Sequence, residues 1–374
     1  MKLTDVCDYI NNRTSNIGNY ISTENMLPNK GGVGKALSAP AGSVIEYRAG
    51  DVLISNIRPY FQKIWYADRD GGCSADVLCL RAKENTDSRY LYYLLSQQAF
   101  FDYVMSGVKG CKMPRGDKKQ IMQWPVNLPP LAEQKRIAAI LGALDDKIEL
   151  NRRINANLEE QAQALFKSWF VDFEPFKDAG FVDSELGPIP AGWSVGPIYA
   201  YMDVIYGAPY KSSLFNTNKK GFPLIRIRDL KTYSPQFYTE ELLSNTEYVE
   251  CGDIVAGMDA EFMPYIWRGD KGLLNQRVCK FIPKYDYVSN FYIYLVICPE
   301  LEFVQSYKVG TTVSHLGKSD IDKIKVIIPS KGVTEKFSRI VDSYLSEIIK
   351  IANENRRLAA LRDALLSKLM NGEI

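Results

Sequence analysis

Apolar positions recur in two long stretches of the chain, in alternating steps of four and three. In the first they fall at Ile137, Leu141, Leu144, Ile148, Leu158, Ala162, Leu165 and Trp169, with Asn151 and Asn155 filling the seam. In the second, Phe337, Val341, Tyr344, Ile348, Ile351, Asn355, Leu358, Leu365 and Leu369 keep the same phase at an offset of 200, interrupted only by Arg362. That spacing is a heptad stripe. It predicts two helices of about 40 residues, roughly 60 Å each at 1.5 Å per residue. Each follows a proline-ended apolar run, in LPPLAEQKRI and IIPSKGVTEKFSRI, so that Pro129 corresponds to Pro329. A stripe this long needs a partner, and the other copy supplies one as an antiparallel two-helix coiled coil. Asn155 and Asn355 are then the candidates to fix the register, at some loss of stability. The alternative, two amphipathic helices each packed on its own domain, stays open.

The segments between the helices repeat as well, so the whole chain is an internal duplication. Gly50 to Leu53 matches Gly252 to Val255, a turn into a buried strand, and Tyr20 to Met26 matches Leu224 to Leu230, an apolar strand entering a polar loop. Near the end of each unit a glycine-containing polar loop precedes a strand, at Gly107 to Ile121 and Lys308 to Ile324. Strand-like runs such as Val278 to Ile282 alternate with helical ones such as Ser88 to Met105. The fold class is therefore α/β in the mixed, α+β sense. Two globular domains, 1–127 and 177–328, alternate with two helical regions, 128–176 and 329–374, as a pseudo-two-fold repeat. The Pro- and Gly-rich run ELGPIPAGWSVGPI marks the entry to the second globular domain.

Length and composition suit a globular protein of two or three domains, and no run of about 18 apolar residues could span a bilayer. The N-terminal MKLTDVCDYINNRTS lacks an apolar signal core, which predicts a cytoplasmic location. The seven cysteines are scattered and form no CxxC, so they read as buried thiols and not as a disulfide or zinc framework. A net charge of +2 excludes indiscriminate clinging to nucleic acid. Counted by segment, Lys+Arg against Asp+Glu is 16 to 12 for 1–128, 6 to 8 for 129–176, 16 to 18 for 177–328 and 8 to 6 for 329–374. Any DNA contact has to come from local patches.

Catalytic signatures do not emerge. KGGVGK at Lys30 to Lys35 has the glycines of a phosphate-cradling loop, but Ala36 stands where a magnesium-holding hydroxyl is needed, and Pro28 and Asn29 stand where a strand should end. It reads as a basic loop. The single histidine, His315, rules out histidine clusters and lies in a polar loop without a nucleophile elbow. There is no Asn-Pro-Pro-Tyr of the kind adenine methyltransferases use on a flipped base. Acid-x-Lys fragments such as Asp117 to Lys119 are expected by chance in a chain this charged.

LPPLAEQKRIAAILGALDDKIELNRRINANLEEQAQALFKSWFVDFEPF, residues 128–176, strongly resembles the central conserved region of type I restriction-modification specificity subunits. The ending NRRLAALRDALLSKLMNGEI resembles the distal conserved region, and SELGPIPAGWSV the usual entry to a target recognition domain. The resemblance implies two recognition domains, each reading half of a split double-stranded DNA target. It implies helices that set the unread spacer and dock two methyltransferase subunits, with two restriction subunits joining in some complexes. Methylation with S-adenosylmethionine, and ATP- and magnesium-dependent translocation and cleavage, would belong to those partners, leaving this chain without cofactor, metal or catalysis. It also departs from common members in starting almost directly inside the first recognition domain.

Base reading needs Arg, Lys, Asn or Gln at groove edges, and phosphate contacts need only donors. The loops that correspond between copies supply both. In the first domain the candidates are Ser22, Thr23, Asn25, Lys30, Lys35, Lys109, Lys112 and Arg115. In the second they are Lys211, Arg226, Arg228, Lys308, Thr311, Thr312, His315 and Lys318, with Tyr210 and Tyr265 beside polar loops as possible stacking partners. Taken alone, the residues also admit a complete nuclease or methyltransferase fused to recognition modules, or a coiled-coil scaffold with no DNA role.

Overall fold

The computed structural model describes residues 1–15, 18–36, 38–108, 113–308 and 315–374. They form two compact units, Met1–Ile148 with Arg357–Ile374, and Glu149–Arg356. Each unit holds one globular region and part of both long helices.

In the first unit the strands are β1 (Cys7–Tyr9), β2 (Arg13–Thr14), β3 (Val44–Tyr47), β4 (Val52–Ser55), β5 (Ile64–Tyr66), β6 (Gly71–Cys73) and β7 (Val77–Ala82). They make an antiparallel sheet in the order β1-β7-β4-β5 and a smaller one in the order β2-β3-β6. The β4 run Val-Leu-Ile-Ser is buried on both faces, which is why it reads as continuous apolar sequence and not as alternation. Gly50, at φ +91, makes the corner into β4. Asp51 holds that corner by accepting the Arg48 N–H at 2.8 Å and pairing with Arg81 at 2.7 Å. Helix α1 (Ser88–Leu95) starts where the Asp87 carboxylate accepts the Tyr90 N–H at 2.9 Å, and α2 (Gln98–Ser106), α3 (Lys118–Ile121) and the 40-residue α4 (Leu131–Phe170) follow.

The second unit repeats this plan with additions. After the short strands β8 (Phe181–Val182), β9 (Ile189–Pro190) and β10 (Ser194–Pro197) come β11 (Met202–Tyr206), β12 (Phe222–Ile225), β13 (Tyr238–Thr239), β14 (Tyr248–Val249), β15 (Ile254–Gly257), β16 (Pro264–Ile266), β17 (Gly272–Leu274), β18 (Val278–Pro283) and β19 (Lys325–Ile328). The sheet β11-β18-β15-β16 is the counterpart of β1-β7-β4-β5. Its corner is again a left-handed glycine, Gly252 at φ +101. Asp253 there accepts the Glu250 N–H at 2.8 Å and pairs with Lys280 at 3.0 Å. The predicted match of Tyr20 to Met26 with Leu224 to Leu230 also appears as pairing: Ile21 bridges Cys73 in parallel, as Ile225 pairs with Leu274. Helix α5 (Asn290–Lys308) takes the place of α1 and α2, and α6 (Lys318–Ile321) and the 40-residue α7 (Lys331–Met370) complete the copy.

The long helices pair antiparallel inside each unit. In the first, Ile137, Ala138 and Leu141 near the start of α4 share a core with Leu365, Leu366 and Leu369 near the end of α7. In the second, the late α4 residues Leu158, Ala162, Leu165, Trp169 and Phe170 share a core with the early α7 residues Phe337, Val341, Tyr344 and Ile348. Every predicted seam position is buried or half-buried, Leu144, Ile351, Asn355 and Leu358 included. The same clusters contain the adjoining globular core, such as Tyr90 and Leu91 in one unit and Phe291 and Tyr292 in the other. The stripes therefore serve the coiled coil and the domain packing together. Arg362, which interrupts the stripe, is only 14% exposed and is neutralised in place by Asp145 at 2.8 Å and by Asp363.

One seam expectation is corrected. The side chain facing Asn355 is Asn151, whose Nδ2 donates to Asn355 Oδ1 and to Glu354 Oε2, both at 2.8 Å. Asn155 is buried with its Oδ1 unbonded. Helix directions oppose, so a register that seats position 151 at 355 brings 155 level with Ile351.

Candidate nucleic-acid interface

Three loops of the first unit converge. The turn after the Ile21 bridge is tied by Asn25: its Oδ1 accepts the Ser22 N–H at 2.6 Å, and its Nδ2 donates to Gly34 O at 2.9 Å and Tyr20 O at 3.2 Å. Thr23 O accepts from Lys63 Nζ at 2.6 Å. KGGVGK folds back as a tight hairpin, with Met26 bridging Val33 and Leu27 N–H donating to Gly32 O. A Cβ on Gly31 would stand 2.9 Å from Leu27 Cβ and Pro28 O, so the turn needs that glycine. Among the described residues no helix follows it, and the hairpin is not the geometry of a phosphate loop. The hairpin leans on residues 56–62 through Asn29 N–H to Phe61 O at 2.8 Å and Lys30 N–H to Gln62 O at 3.0 Å. From the other side Ile57 bridges Arg115, and Arg58 N–H donates to Pro114 O at 2.8 Å. Arg115 is exposed and braced by Asp76 at 3.2 Å, while Lys35 is exposed with no ion pair among the described residues. Lys30 is half-buried, and burial lowers its ammonium pKa despite the pull of Asp363.

The second unit builds the same arrangement from different side chains. Asp229 takes the place of Asn25, accepting the Arg226 N–H at 3.1 Å and its Nε at 3.0 Å, while the guanidinium lies 4.4 Å from the centroid of Phe237. Asp259 bridges His315, as Ile57 bridges Arg115, and the Asp259 carboxylate meets His315 Nδ1 at 2.6 Å. Arg277, in a left-handed conformation at φ +70, brings its Nη1 to 3.4 Å from the same nitrogen. Lys308 Nζ donates to Asp320 Oδ2 at 2.6 Å and His315 O at 2.7 Å. Arg228, Lys211 and Lys318 have exposed side chains with no ion pair among the described residues.

The structure thus brings most of the proposed residues into two corresponding loop clusters, but turns some inward. The polar atoms of Asn25, Arg226 and Lys308 are engaged within the fold, Lys30 is tucked in, Ser22 engages through both its backbone and its hydroxyl, and Thr23 engages through its carbonyl. Tyr210 donates to Thr246 and Tyr265 to Glu261, both as packing. Lys109, Lys112, Thr311 and Thr312 lie outside the described residues. Arg58, the exposed Tyr60 and Phe61, and Arg277 are additions the sequence reading missed; the run Arg-Pro-Tyr-Phe after an apolar strand was the available signal. Among the described residues no group of three or more His, Cys, Asp or Glu could hold a metal, and no helix is long and apolar enough to cross a membrane.

The model of the type I restriction modification DNA specificity domain matches this chain twice, over residues 1–160 and 203–360. The chain belongs to that family. Its two matches coincide with the two copies of the β1-β7-β4-β5 sheet plan, each followed into a long helix. Among curated relatives, this specificity subunit is 29% identical over 321 residues to the type I restriction enzyme MjaIX specificity subunit of Methanocaldococcus jannaschii, covering 78% of this chain and 70% of that one. It is 24% identical to the HindI specificity subunit of Haemophilus influenzae, over 95% and 94% of the two chains. The crystal structure of a type I S subunit from M. genitalium overlaps 99% of this chain and 95% of its own at 14% identity, with a TM-score of 0.47.

Proposed function

We propose that this specificity subunit reads a bipartite double-stranded DNA target, residues 1–127 taking one half and 177–328 the other. The observation that carries this reading is the duplication of one loop architecture with different side chains. Each copy offers a tied turn after a parallel bridge and a basic residue, Arg115 or His315, braced by an acid beside the link from the second central strand. Equal scaffolds with unequal contact groups suit two unlike half-sites, because base edges are distinguished by the donors and acceptors that meet them. Exposed Lys35, Arg58, Arg228 and Lys318 are available for phosphates.

In this reading α4 and α7 set the unread gap and present the surface for two methyltransferase subunits, with two restriction subunits joining where the system cleaves. S-adenosylmethionine, ATP and magnesium act on those partners, and the chain performs no catalysis of its own. The test is binding of the assembled methyltransferase complex to its target duplex across a salt series. Log affinity falls linearly with log salt if phosphates are contacted, with target binding exceeding non-target binding by about a thousandfold or more. Equal affinity for target and random duplex removes the recognition role.

A further inference from the structure

The link between β4 and β5 is an exposed turn held in a backbone conformation that residues with a side chain rarely adopt. Arg58 (φ 50, ψ 61) and Gln62 (φ 50, ψ 44) are both left-handed and neither is glycine, a conformation kept only where the surroundings enforce it. Here they do. Pro59 is buried between them, the turn closes through Phe61 N–H to Arg58 O and Gln62 N–H to Pro59 O, and it is held at its two ends by the hairpin at Asn29 and Lys30 and by the strap at Pro114. What this rigid turn displays is apolar: Tyr60 is 49% and Phe61 36% exposed, their rings 4.6 Å apart. Cations surround the pair, with Arg58 exposed, Lys63 Nζ 5.9 Å from the Phe61 centroid and Arg115 across the bridge at Ile57.

We propose that Tyr60 and Phe61 form an aromatic wedge that enters or stacks on the base pairs of one half-site, while Arg58 and Arg115 take the flanking phosphates. The proposal rests on the DNA-reading role and adds a deformation of the duplex confined to one side. A polyanion with exposed π-faces is the occupant that suits aromatic rings ringed by cations, and apolar wedges of this kind unstack and kink base steps. The second copy lacks the device. Its link, residues 258–263, turns Phe262 fully inward with its N–H on Gln305 Oε1, and exposes Ala260 beside the acids Asp259 and Glu261.

The experiment uses the full chain assembled with its methyltransferase subunits. The probes are duplexes built on the motif that complex methylates in its host, with 2-aminopurine replacing in turn each adenine except the methylated ones, which the methyltransferase itself flips out. Wild type raises the fluorescence at positions within one half-site only. Tyr60→Ala with Phe61→Ala abolishes that rise and weakens target binding about tenfold or more, whereas Tyr60→Trp, which keeps a stacking face, retains both. Because both rings are exposed, the double variant keeps the wild-type melting midpoint, which separates lost contact from lost fold. Unchanged fluorescence and affinity in the double variant overturn the wedge alone. No preference of the wild-type complex for the motif overturns the wedge together with the recognition role.

Discussion

Truncating Phe337 tests whether α4, α7 and the second globular core are one packed body. Its ring is fully buried, with centroids 4.8 Å from Phe170, 5.5 Å from Trp169, 5.9 Å from Tyr292 and 6.0 Å from Phe166. Those four rings are themselves fixed by other contacts, so Phe337→Ala leaves a void that cannot collapse. Phe→Ala in such a site costs about 3–5 kcal/mol, and four aromatic neighbours place this one in the upper half of that range. With a urea slope of about 2.5 kcal/mol/M for a body of this size, a loss of about 4 kcal/mol lowers the unfolding midpoint by about 1.6 M. Trp169 reports the transition by fluorescence. Phe337→Leu, which refills most of the volume, moves the midpoint less than half as far. A shift below about 0.3 M for Phe337→Ala, or equal shifts for both variants, refutes the shared core.

Three further outcomes follow from the same packing. Asp145→Ala strands the Arg362 guanidinium, also removes the acceptor of Tyr93, and destabilises by about 1–3 kcal/mol, whereas Arg362→Leu restores the apolar stripe and is neutral within about 1 kcal/mol; urea melts of both decide it. Burial pushes the Cys7, Cys73 and Cys279 thiols up to about 12 and Cys79 higher still, so a disulfide exchange reagent at about pH 8 leaves these four unlabelled until the chain unfolds, and native labelling of any of them contradicts their placement. At Asp320 burial raises the carboxyl pKa, but the Lys308 ammonium and the Gly317 N–H outweigh it and hold the group below its usual 3.8. The unfolded chain therefore takes up the proton first, and the stabilisation is present above 3.8 and lost as pH falls below it. Asp320→Asn should lower the melting midpoint near pH 7, with a deficit that shrinks as pH falls below 3.8; a deficit that stays constant with pH contradicts the ion pair.

The long helices were legible because a heptad stripe repeated at an offset of 200 leaves few other arrangements. Of the two register candidates only Asn355 meets an asparagine, because an antiparallel pair matches early positions of one helix with late positions of the other, which seats Asn151 at Asn355 and Asn155 level with Ile351. Gln134 stayed invisible because a glutamine in a helix reads as surface. It is fully buried, donating to Pro129 O and Asn85 O while accepting from the Asp87 N–H, and so ties α4 to the start of α1. In the candidate interface, loop correspondence located the clusters, but residue type could not distinguish a free cation such as Arg228 from one spent on a neighbour, such as Arg226 on Asp229. That difference depends on three-residue turn geometry, which composition does not encode.

The central claim is that this specificity subunit supplies a two-part DNA address to a partner methyltransferase. Methylome sequencing of a host expressing the chain with that methyltransferase, against the same host with the methyltransferase alone, tests it most directly. The account predicts a new adenine-methylated motif in two specified halves around an unspecified gap, present only with the chain. No new motif from a complex that purifies intact, or a single uninterrupted motif, contradicts it.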